Sequence, residues 1–587
     1  MNGSRIWDLR RGDLDDNRTS IRGNVRSMVV SAALEFNYLN ASIGFLTLVV
    51  GPALLVGIVP PLVIAYGRMK LGVAAGQSLT VALLMLALLT GLAFWIGRPL
   101  LSMAVESFWR LHYNLIVPIY VAVRELLRVV VEKFSGSHSM SEKIRPEKIT
   151  PEEIDRGRRL GTILGGSLLA GGGLALAIAV GLSFGVQLVH IDRIELWPVA
   201  RATLGCAAVV FGLSTAAESL YWVWQELTIC GSVQDWTPGP NGHEAASARV
   251  AHLSDLHIVG ERYGYRMESG TRGPRGNHGV RMALHKLAEI HESAPFDRIL
   301  VTGDVTDAGT RAEWVEFIDF LRDYPLRDRL SFVPGNHDVN IVDRNNPARF
   351  ELPWSAGRPL RKLRVVLALD AIQGDRARVV DRASGALGPF LNEYLREGDR
   401  AERLRELAES GAPPGRKEMA SVWDGIFPLV EAPRESDGYG LILLDSNARS
   451  HFALTNAIGV VSPSQLKALQ SILNGSPRCG WIILLHHQIV EYPVTSVSLT
   501  DRIGLALVNA PAVLNTIAPH APRCLVMHGH RHRDWIGASR DLVLCSAPSV
   551  TMGCYGQELH RGSFHVHEVV VGGGGSIRLK ATERVTL

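Results

Sequence analysis

Seven side chains able to bind a metal fall in five short clusters along the C-terminal half of this chain. They are Asp255 and His257 in LSDLH, Asp304 in VTGDVTD, Asn336 in VPGNHD, His486 in LLHHQ, and His530 with His532 in HGHRH. Each cluster directly follows an apolar run that reads as a strand. Carboxylates, an amide and imidazoles without a thiolate suit Mn, Fe or Zn and argue against a structural zinc cluster. Gathered from several strand ends, such ligands would hold two ions, with Asp304, short and just after a glycine, placed to bridge them. Seventeen of the 20 histidines lie after residue 242, so the chemistry is concentrated in this half.

The elements that must position these clusters alternate between short apolar runs and helical stretches. Candidate strands are 250–253, 298–302, 330–333, 441–444, 481–485, 524–527, 542–545 and 564–571; candidate helices include 279–293, 310–322, 463–473 and 510–517. This is an α/β pattern, in which ligands collect at the carboxyl edge of the strands. The segment from about 340 to 435 is charged and partly helical, and it stands between two ligand clusters. It is expected either to cap the site or to form a solvated excursion.

Taken in order, DLH, GDVTD, GNHD, LLHH and GHRH resemble the motif series of the calcineurin-like metallophosphoesterase family, over roughly Arg249 to Leu587. The resemblance implies a β-sandwich flanked by helices (α/β/β/α) around two divalent or trivalent metal ions. By matching positions, one ion takes Asp255, His257, Asp304 and His532, and the other takes Asp304, Asn336, His486 and His530. His486 rather than His487 fills the ligand place of the family's H-H-P variant, although this chain has Gln488 where that variant has Pro. The implied activity is hydrolysis of a phosphoester, a phosphodiester or pyrophosphate, by a hydroxide held between the ions. His337 would protonate the leaving group or hydrogen-bond the phosphoryl oxygen. Asp338 is expected to orient His337, Asp307 to support the ligands, and His252, His487 and His528 to take supporting or structural places.

The first half of the chain is different. Residues 42–67, 71–97 and 160–189 contain no charged residue and exceed the roughly 20 apolar residues a bilayer crossing needs. A fourth run, 202–224, is interrupted by Glu218. Basic residues crowd the N-terminal segment (1–41) and the loop 98–159, which holds an amphipathic stretch from Trp109 to Phe134. With four spans in a membrane domain 42–230, the positive-inside rule places both segments and the C-terminal half in the cytoplasm, at a plasma (inner) membrane. The dense small residues of GGSLLAGGG (165–173) suit close helix packing. A Gly- and Pro-rich linker, 231–248, would lead into the soluble domain, 249–587.

The net charge is only +4, and the domain lacks a basic stripe with interleaved aromatics, so no nucleic-acid partner is expected. The six cysteines form no CxxC pair and read as reduced thiols. Expected partners are a phosphorylated small-molecule or lipid-linked substrate and membrane lipid. The competing class is a transport or sensor protein regulated by its metal domain; the complete ligand set and the lack of an intramembrane charge run speak against it.

Overall fold

The computed structural model describes residues 6–11, 13–14, 117–137, 151–184, 196–228 and most of 233–587. Within the last segment, 238–246, 264–275, 493–506, 553–561 and a few shorter stretches are not described. The expected spans 42–67 and 71–97 therefore lie outside the described residues. The chain divides into two compact units, one from residues 38–141 and 157–227, the other from 1–37, 142–156 and 228–587.

In the first unit, α1 spans Val117–Ser137, α2 Pro151–Phe184 and α3 Leu196–Thr228. Among the described residues, two helices are long and apolar enough to cross a membrane, Arg156–Ser183 and Leu204–Thr228. Large apolar side chains on both stand exposed, including Leu168, Leu182, Leu204 and Leu227. The helices meet at glycines: a Cβ on Gly173 would strike the backbone of Gly212 and Ala216, and one on Gly212 would strike that of Gly173 and Ala177. Such close backbone approach is what small residues permit. Only part of the GGSLLAGGG run serves it, since Gly171 and Gly172 face open space.

The second unit holds two sheets. The strands are β1 Val233–Asp235, β2 Ser247–Leu253, β3 Arg298–Val301, β4 Leu330–Phe332, β5 Ala377–Val380, β6 Leu387–Phe390, β7 Leu429–Glu431, β8 Tyr439–Leu443, β9 Gly480–Leu484, β10 Cys524–His528, β11 Trp535–Ser539, β12 Leu542–Ser546, β13 Ser563–Val571 and β14 Ile577–Thr586. Nine pair in the order β1-β11-β12-β10-β9-β8-β7-β5-β6, and five in the order β14-β13-β2-β3-β4. The helices are α4 His278–Ser293, α5 Arg311–Asp323, α6 Asn336–Val339, α7 Gly357–Gln373, α8 Leu391–Arg396, α9 Arg400–Ser410, α10 Pro413–Ile426, α11 Pro463–Gly475 and α12 Ala510–Ile517. Strands β2, β3 and β4 run parallel, as do β8, β9, β10 and β12. Apart from Arg298 and His528 at strand ends, their sequences (RILV, GWIIL, CLVMH) are apolar, and they are buried at every position. That is the signature of strands covered on both faces.

Two expectations about organisation need correction. Residues 233–235 of the expected linker are an edge strand, with Val233 opposite Ser539 on β11. The 340–435 segment is not a solvated excursion. Its strands β5, β6 and β7 extend the nine-stranded sheet beside β8. Its helix α7 buries Leu360, Leu363, Val365, Val366, Leu369 and Ile372 in the main core. Apolar side chains all around a helix force it inside, whatever the charge of its flanks.

The N-terminal residues also join this unit. Ile6 and Leu9 are part of its core. Arg10 pairs with Asp319. Buried Asp13 accepts from Arg364 Nε at 2.7 Å, and the same guanidinium donates to the Gly309 carbonyl at 3.0 Å. Removing one member of a buried ion pair leaves the other charge desolvated, at a cost of about 3–5 kcal/mol. Asp13→Ala is therefore expected to destabilise the domain by about that amount; unfolding of the solubilised full chain by denaturant measures it, and an unchanged midpoint would refute the pairing.

Candidate metal centre

Each ligand cluster sits just beyond the carboxyl end of a parallel strand. Asp255 and His257 follow β2, Asp304 follows β3, Asn336 follows β4, His486 follows β9 and His530 and His532 follow β10. The register sets the strand ends level: Leu253 lies opposite Val301, and Leu484 opposite Met527. The turns then lock onto one another. Asp255 N–H donates to the Gly303 carbonyl at 3.1 Å, His257 N–H to that of Asp304 at 3.0 Å, and Gly529 N–H to that of His486 at 3.0 Å.

Among the described residues, five non-glycine positions adopt positive φ: Asp255 (53°), His257 (43°), Asp304 (49°), His530 (72°) and His532 (50°). All five are expected ligands. Left-handed backbone costs about 1–2 kcal/mol at a residue with a Cβ. Its confinement to these turns marks where the fold accepts strain in order to aim side chains.

The side chains converge in two groups that share one carboxylate. In the first, His532 Nε2 lies 3.2 Å from Asp255 Oδ1, and His257 Nε2 lies 3.4 Å from His532 Nε2 and 3.8 Å from Asp304 Oδ2. In the second, His486 Nε2 lies 3.3 Å from Asp304 Oδ2, 3.2 Å from Asn336 Oδ1 and 3.1 Å from His530 Nδ1. Four donors bound to one ion at about 2.0–2.2 Å stand about 3.0–3.5 Å apart, so these spacings suit two ions. His486 Nδ1 is 2.7 Å from the Thr302 carbonyl, which accepts only. Nδ1 therefore carries a proton, and Nε2 is the nitrogen turned toward an amide oxygen, a carboxylate oxygen and another ring nitrogen. Such a gathering of potential ligand atoms suits a bound cation.

Electrostatics makes the same demand. Burial disfavours a charged His486, but Asp304 outweighs it and raises its pKa to about 9. Burial likewise opposes charge on Asp304, yet His486 and His337 hold its pKa well below the ordinary value. The centre calls for positive charge beside Asp304. The Asp304 carboxylate is shared cleanly: Oδ2 faces both groups, while Oδ1 accepts the His337 backbone N–H at 2.8 Å. Similarly, Asp255 Oδ2 accepts the His530 N–H at 3.1 Å, which leaves Oδ1 to the centre.

His487 stands apart from this group. Its Nδ1 meets Ser446 Oγ at 2.8 Å and its Nε2 the Ala457 carbonyl at 3.2 Å. Asp307 Oδ1 lies 3.4 Å from His257 Nδ1, which puts a carboxylate beside the ring nitrogen that faces away from the centre. His337 is placed by the Asp307 carbonyl, 2.7 Å from its Nδ1, and its ring stands edge-on to His257 with centroids 4.6 Å apart. Asp338 does not orient it. The Asp338 carboxylate turns the other way, accepting from the backbone N–H of Thr306 (2.8 Å) and Gly335 (2.9 Å) and from Thr306 Oγ1 (2.6 Å). It ties the GNHD turn to the GDVTD turn. Consecutive residues of a helical turn do not face each other, and α6 begins at Asn336. The supporting groups missed from sequence are the Thr302 carbonyl and Ser549, whose hydroxyl donates to the Asp255 carbonyl at 2.7 Å. A backbone oxygen carries no signal in residue type.

Gly335 explains the glycine of GNHD. A Cβ there would collide with the carboxylate and backbone nitrogen of Asp304. Gly335→Ala is expected to displace the shared carboxylate and weaken Mn binding about 10–100-fold, as lost support for a ligand does; titration calorimetry on the solubilised chain reads this directly, and unchanged affinity would contradict it.

Residues 248–534 match the family model described as calcineurin-like phosphoesterase. This C-terminal region is a calcineurin-like phosphoesterase domain. A curated relative of the domain, a probable cyclic nucleotide phosphodiesterase of Coxiella burnetii (strain RSA 493 / Nine Mile phase I), is 29% identical over 103 residues; the match takes in 17% of this chain and 37% of that protein. Among solved structures, similar chains include a dimetal phosphatase from Danio rerio, at 14% identity and a TM-score of 0.33, covering 58% of this chain and 98% of that one. Another is a purple acid phosphatase from yellow lupin (Lupinus luteus) seeds, at 10% identity and a TM-score of 0.28, covering 59% of this chain and 55% of that one. Phosphoesterases of this family use dinuclear metal centres, and the domain carries matching His and Asp clusters.

Proposed function

We propose that the chain is a metal-dependent phosphoesterase that hydrolyses a phosphodiester or pyrophosphate bond, held at a membrane by α2, α3 and the apolar runs before them. The observation that carries this reading is Asp304: one carboxylate oxygen shared between two complete ligand groups. Asp255, His257, Asp304 and His532 would hold one ion and Asp304, Asn336, His486 and His530 the other. When bound, two such ions supply charge to phosphoryl oxygens and make a nucleophilic hydroxide available near neutral pH.

The chain's own residues do the rest. Asp307 holds the His257 ring and the Thr302 carbonyl holds that of His486, so neither ligand swings during turnover. Asp338 keeps the GNHD turn against β3, fixing Asn336 and His337 relative to Asp304. With Nδ1 engaged by a carbonyl, His337 exchanges its proton at Nε2. The His337 side chain is 12% exposed and that of His532 16%, whereas those of Asp255, His257 and His486 are at most 1%. The first two therefore line the open side, where a leaving oxygen would meet His337. That placement suits protonation of a departing alkoxide.

The relative's cyclic nucleotide activity makes small phosphodiesters the first substrates to try, and the apolar helices make lipid-linked diesters the second. The test is turnover of bis-p-nitrophenyl phosphate by the solubilised full chain with Mn, followed by cyclic nucleotides, glycerophosphodiesters and nucleotide-linked lipids. Absence of turnover in a folded, Mn-loaded sample would sink the reading.

A further inference from the structure

A second histidine cluster lies inside the same domain, and the centre above makes no use of it. His565 and His567 are two apart on β13, and His252 lies directly opposite His565 on β2. Period-two alternation puts all three on one face of the five-stranded sheet. Their exposures are 0–1%, and each can offer a ring nitrogen such that the three atoms lie within 4.8 Å of one another.

Each ring has one nitrogen already engaged on its outer side. His252 Nε2 meets Thr302 Oγ1 at 3.0 Å, His567 Nδ1 meets Thr582 Oγ1 at 2.8 Å, and His565 Nε2 meets Asp534 Oδ1 at 2.8 Å. The Asp534 carboxylate only accepts, so His565 carries its proton on Nε2. Its Nδ1 is buried with no hydrogen-bond partner. The remaining nitrogens of the other two rings, His252 Nδ1 and His567 Nε2, face each other at 3.4 Å. A hydroxyl or carboxylate on the outer nitrogen, with the inner nitrogens turned toward one another, is how proteins prepare imidazoles for a metal. Burial, and then the neighbouring histidines, hold His252 well below the ordinary imidazole pKa, and the same is true of His567. Both rings are therefore neutral, the form that binds metal.

We propose that His252, His565 and His567 form a third metal site, separate from the two-ion centre, that takes zinc or a similar divalent ion with a preference for nitrogen. Three imidazoles with no thiolate suit Zn, Co, Ni or Cu rather than Mg or Ca. A zinc ion held by nitrogens at about 2.0–2.1 Å would draw the three together, to about 3.4 Å apart. Such an ion would join β2 to β13 and stiffen the strand that delivers Asp255 and His257.

The solubilised full chain is saturated with Zn²⁺, freed of loose metal by dialysis and analysed for zinc per chain. The wild type is expected to hold one ion more than the two-ion centre accounts for. Asp304→Asn, which disables that centre and leaves the cluster intact, should keep one zinc, and the further change His567→Asn should remove it. With Co²⁺ in place of Zn²⁺, Asp304→Asn should show the intense visible bands of a tetrahedral nitrogen site. This readout needs no change to the cluster and covers the case in which His567→Asn fails to fold. A folded Asp304→Asn protein that retains no zinc and gives no such bands would overturn the proposal. Zinc held by Asp304→Asn in a chain whose wild type hydrolyses nothing would uphold this site and dismiss the phosphoesterase reading, so the two failures are distinct.

Discussion

Asp304→Asn is expected to lower kcat/KM on bis-p-nitrophenyl phosphate by at least about 10⁴-fold, because enzymes usually exceed the uncatalysed rate by about 10⁶ or more and this change should forfeit most of the gain. Asparagine keeps the shape of the side chain and can still accept the His337 N–H now held by Oδ1. It replaces Oδ2, however, with an NH₂ group that points donors at His486 Nε2 and His257 Nε2. A fully buried negative charge, the one that both ligand groups share, is lost at the same time. Mn content at the centre should therefore fall together with turnover, while circular dichroism stays unchanged. Activity within tenfold of wild type, with Mn retained, would show that Asp304 does not bridge.

His337→Ala should act differently. General acid catalysis contributes about 10²–10⁴-fold, and only when the leaving group needs a proton. With a simple alkyl leaving group the variant should lose about that factor in kcat. With p-nitrophenolate, a stable anion, the loss should stay below about tenfold, because Brønsted dependence is weak for a good leaving group. Mn content should not change; a fall would make His337, whose ring nitrogen lies within 4.8 Å of ligand atoms of His257 and Asp304, a ligand instead. Equal losses on both substrates would assign His337 to phosphoryl binding and remove it as proton donor.

How much of this was legible in the sequence depended on how local each cause is. The strands that deliver the ligands were readable because apolar runs such as RILV and GWIIL are short, buried and bounded by turn residues. The order of the clusters was readable for the same reason. The sharing of Asp304 rested on the family resemblance and on its glycine neighbour. By contrast, β5, β6 and β7 have only three or four residues each, and β6 reads LGPF, with glycine and proline inside. Their strand character comes from pairing in series, β7 on β8, β5 on β7 and β6 on β5, a tertiary effect. The left-handed backbone at His257, His530 and His532 was invisible as well, because histidine's enrichment in that region is too weak to mark a position and the surrounding turns impose it. Asp338 misled because neighbours in sequence suggest neighbours in space. Arg10 and Arg11 read only as part of a basic N-terminal segment, and nothing marked Asp13, which finds its partner at Arg364, far along the chain.

That last contact has a topological price. Residues 6–11 and 13–14 belong to the same folded body as β1 and β2, so the chain between them makes an excursion, through 38–141 and 157–227, that leaves this body and returns to it. A protease that nicks the excursion would leave both fragments clasped together through Ile6, Leu9 and the Asp13–Arg364 pair.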